Sequence, residues 1–237
     1  VLLEGRENAP KIFAQLTRRD GNFLMGRTDE DFSWENLRGK TIIGGRKGGV
    51  PEMTLEYVMK QNGIVPQVDA TVDTTVQFNM MAGAFSGGNG DYVTLFEPTA
   101  TEMELAGQGY ILCSIGEESG EIPYTAYFAA GDYMEKNPEI IQKFTNAIYK
   151  GQQWVMTHTD AEVAEALAPY FPDTDLSVLE TVSARYRSIG AWNETPAMGE
   201  EGLNRLQDVM EEAGELQERV EFQQLVDNSY AEKAVNS

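Results

Sequence analysis

Cysteine and histidine are almost absent from this sequence. One cysteine (Cys113) and one histidine (His158) occur among 237 residues, so the chain can form no internal disulfide and no site with several histidine ligands. A calcium site built only from carboxylates stays open, although no acidic loop has the spacing of a helix-loop-helix calcium site. We expect neither a metal nor a cofactor.

Basic residues and long apolar runs are scarce too. The 18 lysines and arginines face 38 aspartates and glutamates, giving a net charge of −20. Such a field repels phosphates, which excludes nucleic acid as a partner and disfavours anionic membranes. The longest apolar runs, such as Ala126 to Ala130, are far shorter than the roughly 20 residues of a membrane-spanning helix.

The N-terminus, Val1 to Arg6, has neither the basic start nor the apolar stretch of a signal peptide. Either the protein is cytosolic or the sequence begins after a processed segment. A hydrophobic content of 41% with 10% aromatic residues suffices for an ordered core. The length predicts one large domain or two lobes.

Strand and helix patterns alternate over the first half of the chain. Two short apolar runs, 11–16 and 22–26, flank Asp20-Gly21, which favours a hairpin. Further strands are predicted at 41–45, 91–95, 110–115 and 124–130, with helices after Pro51, over 74–85 and over 97–106. This alternation predicts an α/β fold with a parallel-rich sheet. Beyond residue 130 the pattern is helical, with helices opening at Asn137-Pro138 and over 160–168, 175–189, 200–213 and 222–234.

A glycine loop, Gly44 to Pro51, precedes a helix N-terminus, where free N–H groups favour an anion or a carbonyl oxygen. It lacks the Gly-Lys-Ser/Thr ending of a phosphate-binding loop and the spacing of a dinucleotide fingerprint. The pattern indicates either a tight turn or a ligand-binding N-terminus in which Gly48, Gly49 and Val50 offer backbone N–H groups.

A second candidate region is the strand Gly90 to Pro98, which runs directly into a helix. Ligands of open α/β sheets lie at the carboxyl ends of strands, so Phe96 and Glu97 are placed where a ligand would bind. The alternatives are core packing for Phe96 and a helix-dipole carboxylate for Glu97. His158 and Cys113 are expected to be structural, and no Gly-x-Ser-x-Gly elbow occurs.

These segments together resemble a known family. The motifs are Phe13-Ala14-Gln15-Leu16-Thr17-Arg18-Arg19-Asp20-Gly21, Leu37-Arg38-Gly39-Lys40-Thr41-Ile42, Gly48-Gly49-Val50-Pro51-Glu52 and Gly90-Asp91-Tyr92-Val93-Thr94-Leu95-Phe96-Glu97-Pro98. The sequence resembles the extracytoplasmic substrate-binding proteins of ABC importers, and within them the nitrate, sulfonate, taurine and thiamine-pyrimidine-precursor class. The resemblance covers nearly the whole chain.

The resemblance implies a type II periplasmic-binding-protein fold, in which two α/β lobes joined by crossover strands close on a ligand. Residues 28–125 would form the second lobe, and residues 1–27 and 126–237 the first lobe with the hinge strands. It also implies a non-catalytic monomer outside the cytoplasm, periplasmic or lipid-anchored, that delivers its ligand to an ABC permease in the membrane.

The sequence departs from the family at its start. Members normally begin with a signal peptide and a strand-helix-strand-helix unit of roughly 70 to 90 residues, so the first lobe is expected to be N-terminally truncated. One relative makes the thiamine pyrimidine by consuming its own histidine near a cysteine-rich motif, which is missing here. A ligand-sensing domain of similar fold is the main alternative, and a relative of that biosynthetic enzyme or an unrelated small-molecule enzyme are the remoter ones.

The predicted cleft residues indicate a ligand class. Carboxylates at Asp91 and Glu97 would repel a bare oxyanion, and rings at Tyr92, Phe96 and Tyr124 offer flat faces, which together favour an aminopyrimidine. Lys47, acting with the glycine loop, would instead pair with a sulfonate or a carboxylate.

Overall fold

The strands of the molecule form two separate sheets. The computed structural model describes residues 8–237. Strand β1 (Pro10–Thr17) pairs antiparallel with β7 (Thr125–Ala130). The second sheet contains β2 (Phe23–Gly26), β3 (Thr41–Ile43), β4 (Thr71–Asp73), β5 (Tyr92–Leu95) and β6 (Tyr110–Ser114), in the order β4-β3-β5-β2-β6. Only β2 runs opposite to the other four strands of this sheet, so the predicted α/β fold with a parallel-rich sheet is confirmed.

Eleven α-helices occur within the described residues. They are α1 (Val50–Gln61), α2 (Met81–Ser86), α3 (Thr99–Leu105), α4 (Ile115–Ser119), α5 (Gly131–Lys136), α6 (Pro138–Thr157), α7 (Asp160–Leu167), α8 (Leu176–Ser188), α9 (Glu200–Glu212), α10 (Phe222–Leu225) and α11 (Ser229–Val235). The single helix predicted over 222–234 is divided because the N–H of Asp227 donates to Ile12 of β1 at 2.8 Å. Within residues 8–237 no helix is both long and apolar enough to span a membrane.

One strand of this sheet and one helix beside it differ from the prediction. Strand β4, only three residues long, carries too short a pattern to be recognised from sequence. The helix predicted over 74–85 begins as a short turn at Phe78–Met80 followed by α2. Its start is delayed because the side chain of Asp73 accepts hydrogen bonds from the N–H and hydroxyl of Thr75, at 2.8 and 2.7 Å.

The hydrophobic core covers both faces of the five-stranded sheet. Because successive strand residues point to opposite faces, Phe23 and Met25 lie in one buried cluster and Leu24 lies in the other. The second cluster is completed by α1 through Leu55 and Met59. A smaller cluster joins β1 to α5 and α6.

The predicted hairpin at Asp20-Gly21 is wrong. Strand β1 pairs with β7, whereas β2 pairs with β5 and β6, so residues 18–22 carry the chain from one sheet to the other. The buried Asp20 carboxylate accepts the N–H of Asn22 at 2.8 Å. Aspartate favours such local turns, and here the turn redirects the chain instead of folding it back.

A second segment, residues 120–124, returns alongside the first. Ile122 N–H donates to Arg18 C=O at 2.9 Å, and Tyr124 N–H donates to Thr17 C=O at 3.3 Å. These two crossing segments join the two sheets. The end of α8 also contacts the five-stranded sheet, because Ile189 packs in the core of that sheet. The division into residues 28–125 and the remainder stays a prediction, and its residues 1–7 lie outside the described part.

Candidate functional site

The glycine loop brings the N-terminus of α1 to the end of the five-stranded sheet. Gly45 has φ +87° and Gly48 has φ +71°, conformations that favour glycine. Gly48 N–H donates to the Glu52 carboxylate at 3.0 Å, and Gly49 N–H donates to Arg46 C=O at 3.0 Å. These two N–H groups are therefore occupied within the loop. The N–H of Val50 lies in the first turn of α1, where an α-helix offers no acceptor of its own.

This helix end borders a cavity of about 550 Å³. The cavity lies between the glycine loop, the carboxyl end of β5, the segment around Phe78 and the two crossing segments. Its lining residues are Asn22, Gly44, Gly45, Arg46, Gly49, Val50, Pro51, Glu52, Phe78, Met81, Thr94, Phe96 and Tyr124. Four of the nine predicted site residues, namely Gly49, Val50, Phe96 and Tyr124, are thus brought together here.

Hydrogen-bond donors dominate the polar part of the lining. Asn22 is only 2% exposed, and within residues 8–237 its Nδ2 has no hydrogen-bond acceptor. A buried amide without a partner is costly, but this nitrogen is itself fully buried, so a ligand acceptor reaches it only if the Asn22 side chain turns toward the cavity. Arg46, an exposed residue, also lines the cavity. Glu52 is buried, which raises the pKa of its carboxyl, while the N–H of Gly48 acts in the opposite direction.

Aromatic rings form the apolar wall of the cavity. The rings of Phe96 and Tyr124 lie 5.8 Å apart between centroids, and Phe78 lies 5.8 Å from Phe96 on the side nearer solvent. Phe78 is largely exposed. Burial raises the pKa of the Tyr124 phenol, so this hydroxyl stays protonated at neutral pH. The wall can therefore contact a planar group without adding negative charge.

The structure places Lys47 and Gly48 away from this cavity. Both line a separate cavity of about 350 Å³ together with Glu56 and Glu215. The Glu215 carboxyl lies so close to Gly48 that an added Cβ would meet it at 3.1 Å. The loop thus turns consecutive basic residues, Arg46 and Lys47, toward different cavities.

Asp91 and Tyr92 lie at the opposite end of β5 from Phe96. A strand rises about 3.3 Å per residue, so Asp91 is roughly 16 Å from the Phe96 end. Its carboxylate accepts the N–H of Thr41 at 2.9 Å. The buried Tyr92 packs in the core, and its hydroxyl donates to Glu30 at 2.7 Å. Strand polarity therefore keeps both residues out of the cavity.

Glu97 is committed to structure rather than to the cavity. Its side chain is fully buried and accepts the N–H and hydroxyl of Thr101, each at 2.9 Å. The guanidinium of Arg185 donates to it at 2.6 Å and also binds Glu104 at 3.0 Å. Its oxygens thus tie the start of α3 to α8, so the acceptor positions that a ligand was expected to use on Glu97 are filled within the protein.

The two residues predicted to be structural are remote from the cavity. His158 ends α6, where its ring stacks on Trp154 at 4.1 Å. Cys113 lies in β6, where desolvation raises the pKa of its thiol to about 12. Within the described part of the chain, no group of three or more His, Cys, Asp or Glu side chains is placed to hold a metal ion.

Sequence analysis missed several residues of the lining. Asn22 begins the apolar run 22–26, and Arg46 lies in the glycine loop, where nothing in the sequence distinguishes it from its neighbour Lys47. Phe78 lies in a segment read as a regular helix, and Thr94 is one buried residue of a buried strand. Only Asn22 could have been recognised from the sequence. It is a polar residue directly before the apolar strand β2, a pattern expected where a strand starts at a cleft.

Comparison with known proteins gives a consistent family. The family model described as NMT1/THI5 like matches residues 7–162. YtlA, a proposed binding protein of Bacillus subtilis (strain 168), is 44% identical over 237 residues, which is 100% of this chain and 71% of YtlA.

Solved structures share the fold at low sequence identity. The alkanesulfonate-binding protein SsuA from Xanthomonas axonopodis pv. citri, bound to MOPS, superposes with a TM-score of 0.72 at 16% identity, covering 93% of this chain and 74% of SsuA. The desulfurization enzyme DszB superposes with a TM-score of 0.67 at 14% identity, covering 99% of this chain and 81% of DszB. The fold therefore serves both binding proteins and an enzyme. The resemblance indicated by the sequence motifs is confirmed, and the chain belongs to the NMT1/THI5-like family.

Proposed function

We propose that this chain is the solute-binding component of an ABC importer, which binds a small organic molecule in the cavity beside α1 without transforming it. It acts outside the cytoplasm as a monomer and delivers its ligand to a permease in the membrane. The observation that carries the proposal is the cavity itself, in which a helix N-terminus, a buried unpaired amide and an aromatic wall converge. The relationship to YtlA and the fold shared with SsuA support it.

The cavity chemistry favours an anionic ligand with a planar part. The Nδ2 of Asn22, the guanidinium of Arg46 and the N–H of Val50 are all donors. Charge-assisted hydrogen bonds from such donors to an oxyanion are stronger than neutral ones. With Glu97 paired to Arg185, the acceptor expected for an aminopyrimidine is engaged elsewhere. An aromatic sulfonate or carboxylate therefore fits better than an aminopyrimidine.

Binding without chemistry is supported by the state and position of the most reactive side chains. Of the two residues best suited to nucleophilic or acid-base work, Cys113 has a thiol held protonated by its raised pKa, and His158 lies at the far end of α6. In place of catalysis, the two crossing segments allow the lobes to close on the ligand about residues 18–22 and 120–124.

Calorimetry with three probes tests the proposal: benzenesulfonate, 4-amino-2-methylpyrimidine and nitrate. We expect benzenesulfonate to bind most tightly, because it alone combines an oxyanion with a ring. Arg46→Gln should weaken its binding about tenfold or more, the loss typical of a charged hydrogen bond. Lys47→Gln is the matched control, because it removes the same charge from the same loop but faces the other cavity.

Each outcome separates one part of the proposal. Equal losses for Arg46→Gln and Lys47→Gln would show that only the overall charge matters and would remove the cavity as the site. Tighter binding of the aminopyrimidine or of nitrate would overturn the assignment of an aromatic anion. Turnover of any bound probe would contradict a purely binding role.

A further inference from the structure

The two-stranded sheet of β1 and β7 is covered at one edge and open at the other. The edge of β1 that faces away from β7 is occupied, since the N–H of Gln15 donates to Pro196 C=O at 2.8 Å. Further along the same edge, the N–H of Asp227 donates to Ile12 C=O at 2.8 Å. Within residues 8–237 no strand other than β1 pairs with β7. The far side of β7 is therefore an open sheet edge.

The composition of β7 does not protect this edge. Edge strands of natural proteins are kept from further pairing by being short or by carrying charge or proline. Strand β4, at one edge of the five-stranded sheet, has only three residues and ends at Asp73. Strand β7 has six residues, all uncharged and none of them proline, and its Phe128 is 68% exposed. It thus lacks all three protections and is suited to accept another strand.

An exposed apolar surface continues from β7 onto α6. The ring of Tyr127 in β7 packs edge-to-face on Phe144 of α6, with the centroids 4.9 Å apart. Phe144 is 41% exposed, and Ile140, one turn earlier on the same side of the helix, is 54% exposed. We call β7 together with Ile140 and Phe144 the β7 edge surface. None of its residues lines the main cavity, which is the cavity of about 550 Å³ beside α1. Exposed apolar side chains grouped in this way mark an interaction site.

We propose that the β7 edge surface binds a polypeptide segment homologous to the part of YtlA outside the match, with one strand of that segment paired to β7 and its apolar side chains over Ile140 and Phe144. An open edge presents backbone groups that an added strand satisfies. The match covers 71% of YtlA and the superposition covers 74% of SsuA, so each relative has a substantial part outside the common region. A second copy of this chain is a poorer occupant, because pairing two chains of net charge −20 brings like charges together.

The probe is the part of YtlA outside the match, produced with an affinity tag and co-expressed with the full chain of 237 residues. We expect the two polypeptides to co-purify as a one-to-one complex in size-exclusion chromatography with light scattering. Amide hydrogen exchange over residues 125–130 should slow at least tenfold in the complex, because the added strand accepts the outward N–H groups of β7. Exchange in β4, the edge strand of the other sheet, should stay unchanged.

Phe128→Lys gives β7 the charge that edge strands normally carry, and it should weaken the complex at least tenfold. Val68→Lys is the matched control, because Val68 is 80% exposed and lies in the loop before β4. Ile140→Lys changes the helical part of the surface and replaces Phe128→Lys if that variant does not fold.

Three results would overturn the inference. They are the absence of a complex, equal binding by Phe128→Lys and Val68→Lys, and a complex with unchanged exchange over residues 125–130. A wild-type homodimer protected over the same residues would assign the surface to a second copy and would overturn it as well. These readouts involve no small ligand, so a failure here is distinguishable from a failure of the proposed function.

Discussion

A single buried carboxyl, that of Asp20, lies where the chain crosses between the two sheets. It is fully buried, and within the described residues its Oδ2 has no hydrogen-bond partner. Desolvation raises its pKa from 3.8 to about 7, against the opposing effects of the Asn22 N–H and the Thr54 hydroxyl. The folded protein therefore keeps a proton that the unfolded chain loses near pH 4. The contribution of this one group to stability is therefore greatest below that pH, falls as the pH rises toward 7 and stays low above it.

Asp20→Asn should consequently stabilise the protein at alkaline pH. Asparagine keeps an acceptor for the N–H of Asn22 without a charge to desolvate, so we expect a gain of about 2 kcal/mol at pH 8 and almost none at pH 4. Denaturant unfolding at both pH values measures this. Asp132→Asn is the control, because it removes an ion pair with Lys136 and should give no gain at pH 8. An Asp20→Asn gain of equal size at both pH values would contradict the desolvation argument.

Glu97 illustrates a residue whose chemistry is used for stability. Glu97→Gln weakens the bond to Arg185 while Glu104 continues to hold the guanidinium, so we expect a loss of about 2 kcal/mol. Glu104→Gln, at a more exposed partner of the same arginine, should cost less. Benzenesulfonate affinity should stay within twofold in both variants. A tenfold loss of affinity at unchanged stability would return Glu97 to the binding site.

At the scale of elements, the loop between β3 and α1 depends on two glycines with positive φ, Gly45 and Gly48. Gly45 has φ +87°, yet an added Cβ would meet Met81 only at ordinary contact distance. Gly45→Ala should therefore cost roughly 1–2 kcal/mol through backbone strain alone. Gly83→Ala, in the middle of α2 with open space around it, should instead stabilise by about 0.5–1 kcal/mol. Thermal unfolding of the two variants checks the signs, and two shifts in the same direction would contradict the assigned loop geometry.

Elements with a strong local pattern could be predicted from the sequence, and those decided by distant partners could not. Asn137-Pro138 opens α6 as expected because capping and proline preferences act within a few residues. The pairing of β1 depends on β7, more than a hundred residues away, so the local Asp20-Gly21 signal predicted a hairpin that does not form. The order of the strands in the five-stranded sheet likewise could not be predicted, because it is a property of the packed core.

The same distinction applies to the site. The direction of β5 places Phe96 at the cavity and Asp91 at the far end of the strand. The sequence predicted this direction, so it could have excluded Asp91 from the site. Arg46 lines the main cavity and Lys47 the other one because of the backbone conformation of the glycine loop. That conformation cannot be read from the sequence. The role of Glu97 depends on Arg185, which α8 brings from a distant part of the chain.

At the scale of the whole molecule, charge is arranged unevenly. The chain carries a net charge of −20, yet the main cavity is lined by one cationic residue, Arg46, and one carboxyl, that of Glu52. This balance is far less negative than that of the chain as a whole, which favours an anion in the cavity over the rest of the surface. The crossing segments run beside the main cavity. Closing the lobes about these segments would therefore shield the charge of a bound ligand from water.

A crystal structure of the protein with benzenesulfonate would examine the proposed site most directly. We expect the sulfonate oxygens within hydrogen-bonding distance of the N–H of Val50, with the guanidinium of Arg46 alongside and the ring against Phe96 and Tyr124. Sulfonate bound instead in the cavity of Lys47 and Glu215, or on the protein surface with the main cavity empty, would contradict the assignment of this cleft as the binding site.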